Sequence, residues 1–86
     1  MTKGEYRVGI NFNPSNEDVV GQIKRAAADL IDLIDGIPVP AVDSTDSAIH
    51  SNEVGRLKAL AQTEIESAAM WAVKAATKPA WEGSNT

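Results

Sequence analysis

Pro38 and Pro40 interrupt the chain between two stretches of helical periodicity, and the next proline is Pro79. Proline lacks an amide donor and clashes with the preceding turn, so neither stretch continues through IPVP; the chain must be two rods joined by a stiff connection. The first rod carries Val20, Ile23, Ala27, Leu30 and Ile34 on one side, flanked by Val19, Ala26 and Leu33, with Asp18, Gln22, Arg25, Asp29 and Asp32 mostly opposite. Ser15 with Asp18 reads as a capping box, Asn13 before Pro14 as a competing cap, and Gly36 as the stop. Asp43 or Ser44 caps the second rod, whose stripe is Val54, Leu57, Ala61, Ile65, Ala68, Ala72 and Ala76, widened by Leu60, Ala69 and Val73. Its alanine-rich second half lets a neighbouring helix axis come close.

Upstream, Tyr6, Val8, Ile10 and Phe12 alternate with Arg7, Gly9 and Asn11, the pattern of a strand or extended arm. A lone strand needs hydrogen-bond partners, so it is expected to lie across the helices or pair with another subunit. The expected fold is therefore all-α: an extended arm over residues 1–14, helices over 15–36 and 45–78, a linker over 37–44 and a tail over 79–86, in one domain. An 86-residue chain without cysteine buries only about 60–65% of its unfolded surface, and assembly into a symmetric homo-oligomer is the available remedy.

A net charge of −4 argues against DNA, RNA or anionic membranes as partners, since those are met by arrays of lysine and arginine. MTKGEYRVG lacks the apolar core of a signal peptide and no segment is long and apolar enough to span a bilayer, so the cytoplasm is the expected location. The single histidine, His50, is too isolated for a zinc site or a catalytic triad, and no glycine-rich phosphate cradle is present. Without a paired acid and base at suitable spacing, the chain is not expected to be an enzyme or to need a cofactor or metal. Asp29, Asp32 and Asp35 read as a solvated helix face, with Arg25 and Asp29 as an i,i+4 pair, ahead of a metal site.

Three cationic or aromatic sets remain: Tyr6 with Arg7, Lys24 with Arg25, and Arg56 with Lys58. Brought together across subunits they supply donors for phosphates and a ring for stacking a base. On physics alone plain solubility is the leading reading of Lys24 and Arg25, and a hydrophobic anchor of the arm accounts at least as well for Tyr6 and Phe12. Thr63 and Ser67 share a helix face with Met70 and Lys74, where a hydroxyl bonds either a ligand or the preceding turn.

The stretch from Arg56 to Lys78, above all ESAAMWAVKAATK, together with IKRAAADLIDLID and the lead-in YRVGINFNPS, resembles the phage anti-CBASS and anti-Thoeris hairpin-domain family of cyclic-nucleotide sponges. The resemblance spans about residues 6–78 and is closest to the short anti-CBASS members. It implies a phage protein, typically hexameric, that sequesters immune second messengers in the bacterial cytoplasm without cleaving them. Cyclic dinucleotides such as 3′,3′-cyclic GMP-AMP would sit between paired protomers, and cyclic trinucleotides such as cyclic triadenylate near a threefold axis. The family's dinucleotide pocket uses a tyrosine and a lysine, matched here by Tyr6 and Lys24, with Arg25 beside them. Its second site uses an arginine, matched by Arg56, and a threonine. Two residues past Lys24 stands Ala26, so no hydroxyl is available there and Thr63 is the substitute. A small helical adaptor binding a protein partner is the alternative function.

Overall fold

The computed structural model describes residues 1–10 and 18–81. They form three helices, α1 (Lys3–Val8), α2 (Val19–Asp35) and α3 (Thr45–Ala76), and among the described residues there is no strand. The strand or extended-arm expectation for residues 6–12 is thus corrected over its described part: Tyr6, Arg7 and Val8 are helical. The cause lies upstream, where the Thr2 hydroxyl accepts from the Glu5 amide at 3.0 Å and the Glu5 carboxylate accepts from the Thr2 amide at 2.7 Å. This reciprocal cap satisfies two of the donors that a helix start leaves open. Gly9, at φ 73°, ends the helix in the left-handed conformation that glycine tolerates best. Phe12, Asn13, Pro14 and Ser15 lie outside the described residues.

Asp18 opens α2, its carboxylate accepting from the Gly21 amide at 2.6 Å. The chain leaves α2 at Gly36, and Ser44 caps α3 through a capping box with Ser47. α3 then runs back along α2. Near the turn, Lys58 donates to the Asp35 carbonyl at 3.0 Å, and one helical turn on, Gln62 donates to the Ile31 carbonyl at 3.0 Å.

The fully buried positions of α2 are Ala28 and Ile31, with Ala27 close behind, while Leu30 is 44% and Leu33 72% exposed. The core face is therefore rotated by roughly 70° from the stripe read in the sequence, at 100° per residue. The reason is α1, which packs on the far flank of α2 so that two helices share that face. Gly4 makes this possible: a Cβ there would lie 2.1 Å from the Ala28 carbonyl oxygen. On α3 the buried residues are Ser51, Gln62 and Ala69, whereas Leu57 and Leu60, expected in the stripe, are about half exposed at 52% and 47%.

Gln62 joins all three helices. Beyond its bond to Ile31, its amide donates to Asp35 at 3.3 Å and its oxygen accepts from Lys3 Nζ at 3.0 Å. A buried amide with every group engaged fixes the register of its neighbours, because any slip would leave a polar group unpaired.

The result is elongated, with a radius of gyration of 18.0 Å against roughly 12 Å for a compact domain of this length. Its accessible surface is 6376 Å², where a compact monomer of this mass exposes about 4,900 Å². Part of that excess is apolar. Val19, Leu30 and Leu33 line the outside of α2, and Ile49, Leu57, Leu60 and Trp71 line a strip of α3 facing away from the core.

Candidate functional site

The acidic run of α2 does not face solvent freely; it anchors α1. Asp32 accepts from the Gly4 amide at 2.7 Å, and Asp35 pairs with Lys3 at 3.0 Å. Arg25 bridges Glu5 at 2.8 Å and Asp29 at 2.8 Å, the second being the i,i+4 pair expected from spacing. The Arg25 guanidinium, aided by bonds from the Thr2 amide and hydroxyl, lowers the Glu5 pKa from its ordinary 4.5 to about 2. Asp35 is lowered too, first by Lys3 and then by Gln62. Among the described residues no group of three acidic, histidine or cysteine side chains is arranged to hold a metal ion.

With α1 clamped in this way, its last turn borders the α2–α3 groove and forms one wall of an open cleft of about 430 Å³. Arg7 and Val8 come from α1, Lys24 from α2, and Glu66, Ser67, Met70 and Val73 from α3. Val8, Met70 and Val73 give an apolar floor, and the polar groups sit at its edges. Arg7 Nη2 donates to Glu66 Oε2 at 2.9 Å and, at 3.4 Å, to Thr63 Oγ1. Lys24 Nζ reaches the Gly9 carbonyl at 3.4 Å. Among the described residues no carboxylate lies within ion-pair distance of the Lys24 ammonium.

The expected site residues are thus distributed unevenly. Lys24 lines the cleft, and Thr63 touches it through Arg7. Tyr6 is on α1, 76% exposed, and does not line the cleft within one protomer. Arg25 is committed to Glu5 and Asp29, so its charge holds α1 to α2. Arg56 is far along α3, on its exposed surface, paired with Glu53 one turn back. His50 is exposed on the first turns of α3. Glu66 is not among the candidates that the sequence offers, and Arg7 enters only as the neighbour of Tyr6, without a place in either expected ligand site. The signal that gives Arg7 its place is the helix itself: once Thr2, Glu5 and Gly9 are read as its caps, Arg7 belongs to a last turn aimed at a partner helix.

Trp71 on α3 is 60% exposed, with Lys74 Nζ 5.5 Å from its ring centroid. This places a cation–π pair on the outer surface. Among the described residues no helix is long and apolar enough to cross a membrane.

One protein-family model, described as the Acb2/Tad1 hairpin domain, matches residues 5–77. No curated protein and no solved structure matches the chain.

Proposed function

The chain belongs to the Acb2/Tad1 hairpin-domain family, and on that premise we propose that it sequesters cyclic dinucleotides such as 3′,3′-cyclic GMP-AMP, and through a second site cyclic trinucleotides such as cyclic triadenylate. Family membership is itself consistent with a phage sponge acting against CBASS or Thoeris signalling. The match over residues 5–77 carries the reading. The cleft supports it, because an apolar floor flanked by Lys24 and Arg7 suits a base and an adjoining phosphodiester.

At about 430 Å³ the cleft is near the small end of ligand sites, which run ~300–1,000 Å³. It suits one half of a dinucleotide, with the other half held by a symmetry-related copy. The ligand is pseudo-symmetric, so two equivalent clefts meeting at a twofold axis would double each contact. Exposed Tyr6 then serves as a stacking ring that the partner's approach encloses. The outer apolar strips of α2 and α3 are the surfaces for assembly into a symmetric homo-oligomer, a hexamer in the family pattern. Arg56 and Thr63 are assigned to the trinucleotide site, and Arg25 to holding the cleft in shape. Binding without cleavage requires no acid–base pair, only nanomolar affinity, about −12 kcal/mol.

Tyr6→Ala and Lys24→Ala are each expected to weaken binding of 3′,3′-cyclic GMP-AMP by at least about tenfold while helicity and oligomer size stay as in the parent. Titration calorimetry with circular dichroism reads both. Parent-like affinity in either variant removes that residue from the site.

A further inference from the structure

Arg7 is not among the residues to which the family resemblance points, yet it is the cation most firmly placed at the cleft. Its side chain is 22% exposed, Glu66 is 41% exposed, and their charged atoms are 2.9 Å apart. A pair this open contributes little to holding two helices together. Its geometry has another consequence. A guanidinium edge fits a carboxylate and a phosphate in the same way, through parallel N–H donors. Glu66 therefore occupies a donor that a phosphodiester in the cleft would use, and Lys24, the other cation there, has no carboxylate within reach among the described residues.

We infer, resting on the dinucleotide reading above, that Glu66 is a built-in stand-in for the ligand's phosphate, holding Arg7 at the cleft when it is empty and yielding it to the phosphodiester on binding. Arg7 is then a phosphate donor alongside Lys24, and Glu66 is a positioning residue acting through Arg7. The exchange breaks one ion pair and forms another, so Glu66 lowers net affinity in return for a preset donor. It also favours anions, since a neutral nucleoside has nothing with which to displace a carboxylate.

The sign of one substitution separates this from a structural ion pair. Glu66→Gln keeps the size and an acceptor oxygen for Arg7 but removes the competing charge. The test is titration of the full chain with 3′,3′-cyclic GMP-AMP, comparing the parent, Glu66→Gln and Arg7→Gln, with helicity followed in parallel. The expected result is binding about threefold tighter in Glu66→Gln and at least about tenfold weaker in Arg7→Gln. If the parent binds and Glu66→Gln binds equally or more weakly, the inference is overturned while the sponge reading stands. Parent-like affinity in Arg7→Gln overturns it in the same way. If Arg7→Gln does not fold, Glu66→Gln alone decides. If the parent itself gives no heat, the sponge reading fails and the inference with it.

Discussion

Where α3 lies along α2, the buried apolar residues are Ala27, Ile31 and Ala69, with Gln62 as a fully bonded polar exception and Ser51 as a second polar residue buried on α3. Where α1 meets α2, the contacts are Lys3 to Asp35, the Gly4 amide to Asp32 and Glu5 to Arg25, closed by the approach of Gly4 to the Ala28 backbone. The first seam draws on removal of apolar surface from water, which is indifferent to protonation and barely sensitive to moderate salt. The second draws on charges and on the absence of one Cβ. The molecule therefore has a robust hairpin carrying a short helix that can be lost separately, and that short helix supplies Arg7 to the cleft.

The largest effect should come from the apolar seam. Ile31 is fully buried, and Ile31→Ala should lower stability by about 2–5 kcal/mol, seen as a shift of the whole urea transition. A loss below about 1 kcal/mol would show that Ile31 is not the centre of the core. Gly4→Ala comes next. Its methyl cannot fit 2.1 Å from the Ala28 oxygen, so α1 must lift; overpacking of this kind costs ~1–3 kcal/mol. Amide exchange should show protection lost over residues 3–8 with α2 and α3 still helical, and retained protection of α1 would contradict the close approach.

Acid should separate the two seams without mutation. The Glu5 carboxylate titrates lower in the folded state than its ordinary 4.5, at about 2, and Asp35 is shifted in the same direction. A depressed folded pKa means that the stabilisation is present above the ordinary value and is lost as pH falls through the folded one. Amide protection of α1 should therefore decline between about pH 4.5 and 2, ahead of any loss in α2 and α3. Simultaneous loss would mean that α1 is not a separate unit. The smallest effect is expected at Arg56, whose pair with Glu53 is on the exposed face of α3. Arg56→Ala should change stability by under about 1 kcal/mol and leave α1 protection unaltered; a larger drop in the thermal midpoint would show that the pair does more than decorate the surface.

The legibility of the sequence follows the same division. The apolar seam was readable in outline, because prolines, caps and 3.6-residue spacing are local signals, and the two long helices and the Ser44 cap follow from them. Which face of α2 is buried is not readable, because α1 decides it: the spacing places Leu30 in the stripe and leaves Ile31 out, and the structure buries Ile31 instead. Residues 6–12 read as a strand or extended arm, whereas their described part from Tyr6 to Val8 is helical. The alternation of Tyr6, Val8 and Ile10 is a weak signal over so few residues, and the stronger one was Thr2 and Glu5 at capping-box spacing with Gly9 behind them. In the cleft, Lys24 was legible as a cation able to meet a phosphate and as the match to the family's lysine. Glu66 was not, because its pairing with Arg7 joins residues far apart in the chain.

Sequestration is tested most directly by calorimetric titration of the purified protein with 3′,3′-cyclic GMP-AMP, followed by release of the ligand with heat and its mass spectrometry. The expected result is nanomolar binding and recovery of the intact cyclic dinucleotide. Linear product in the released fraction, or no heat with this ligand and none with cyclic triadenylate, would contradict it.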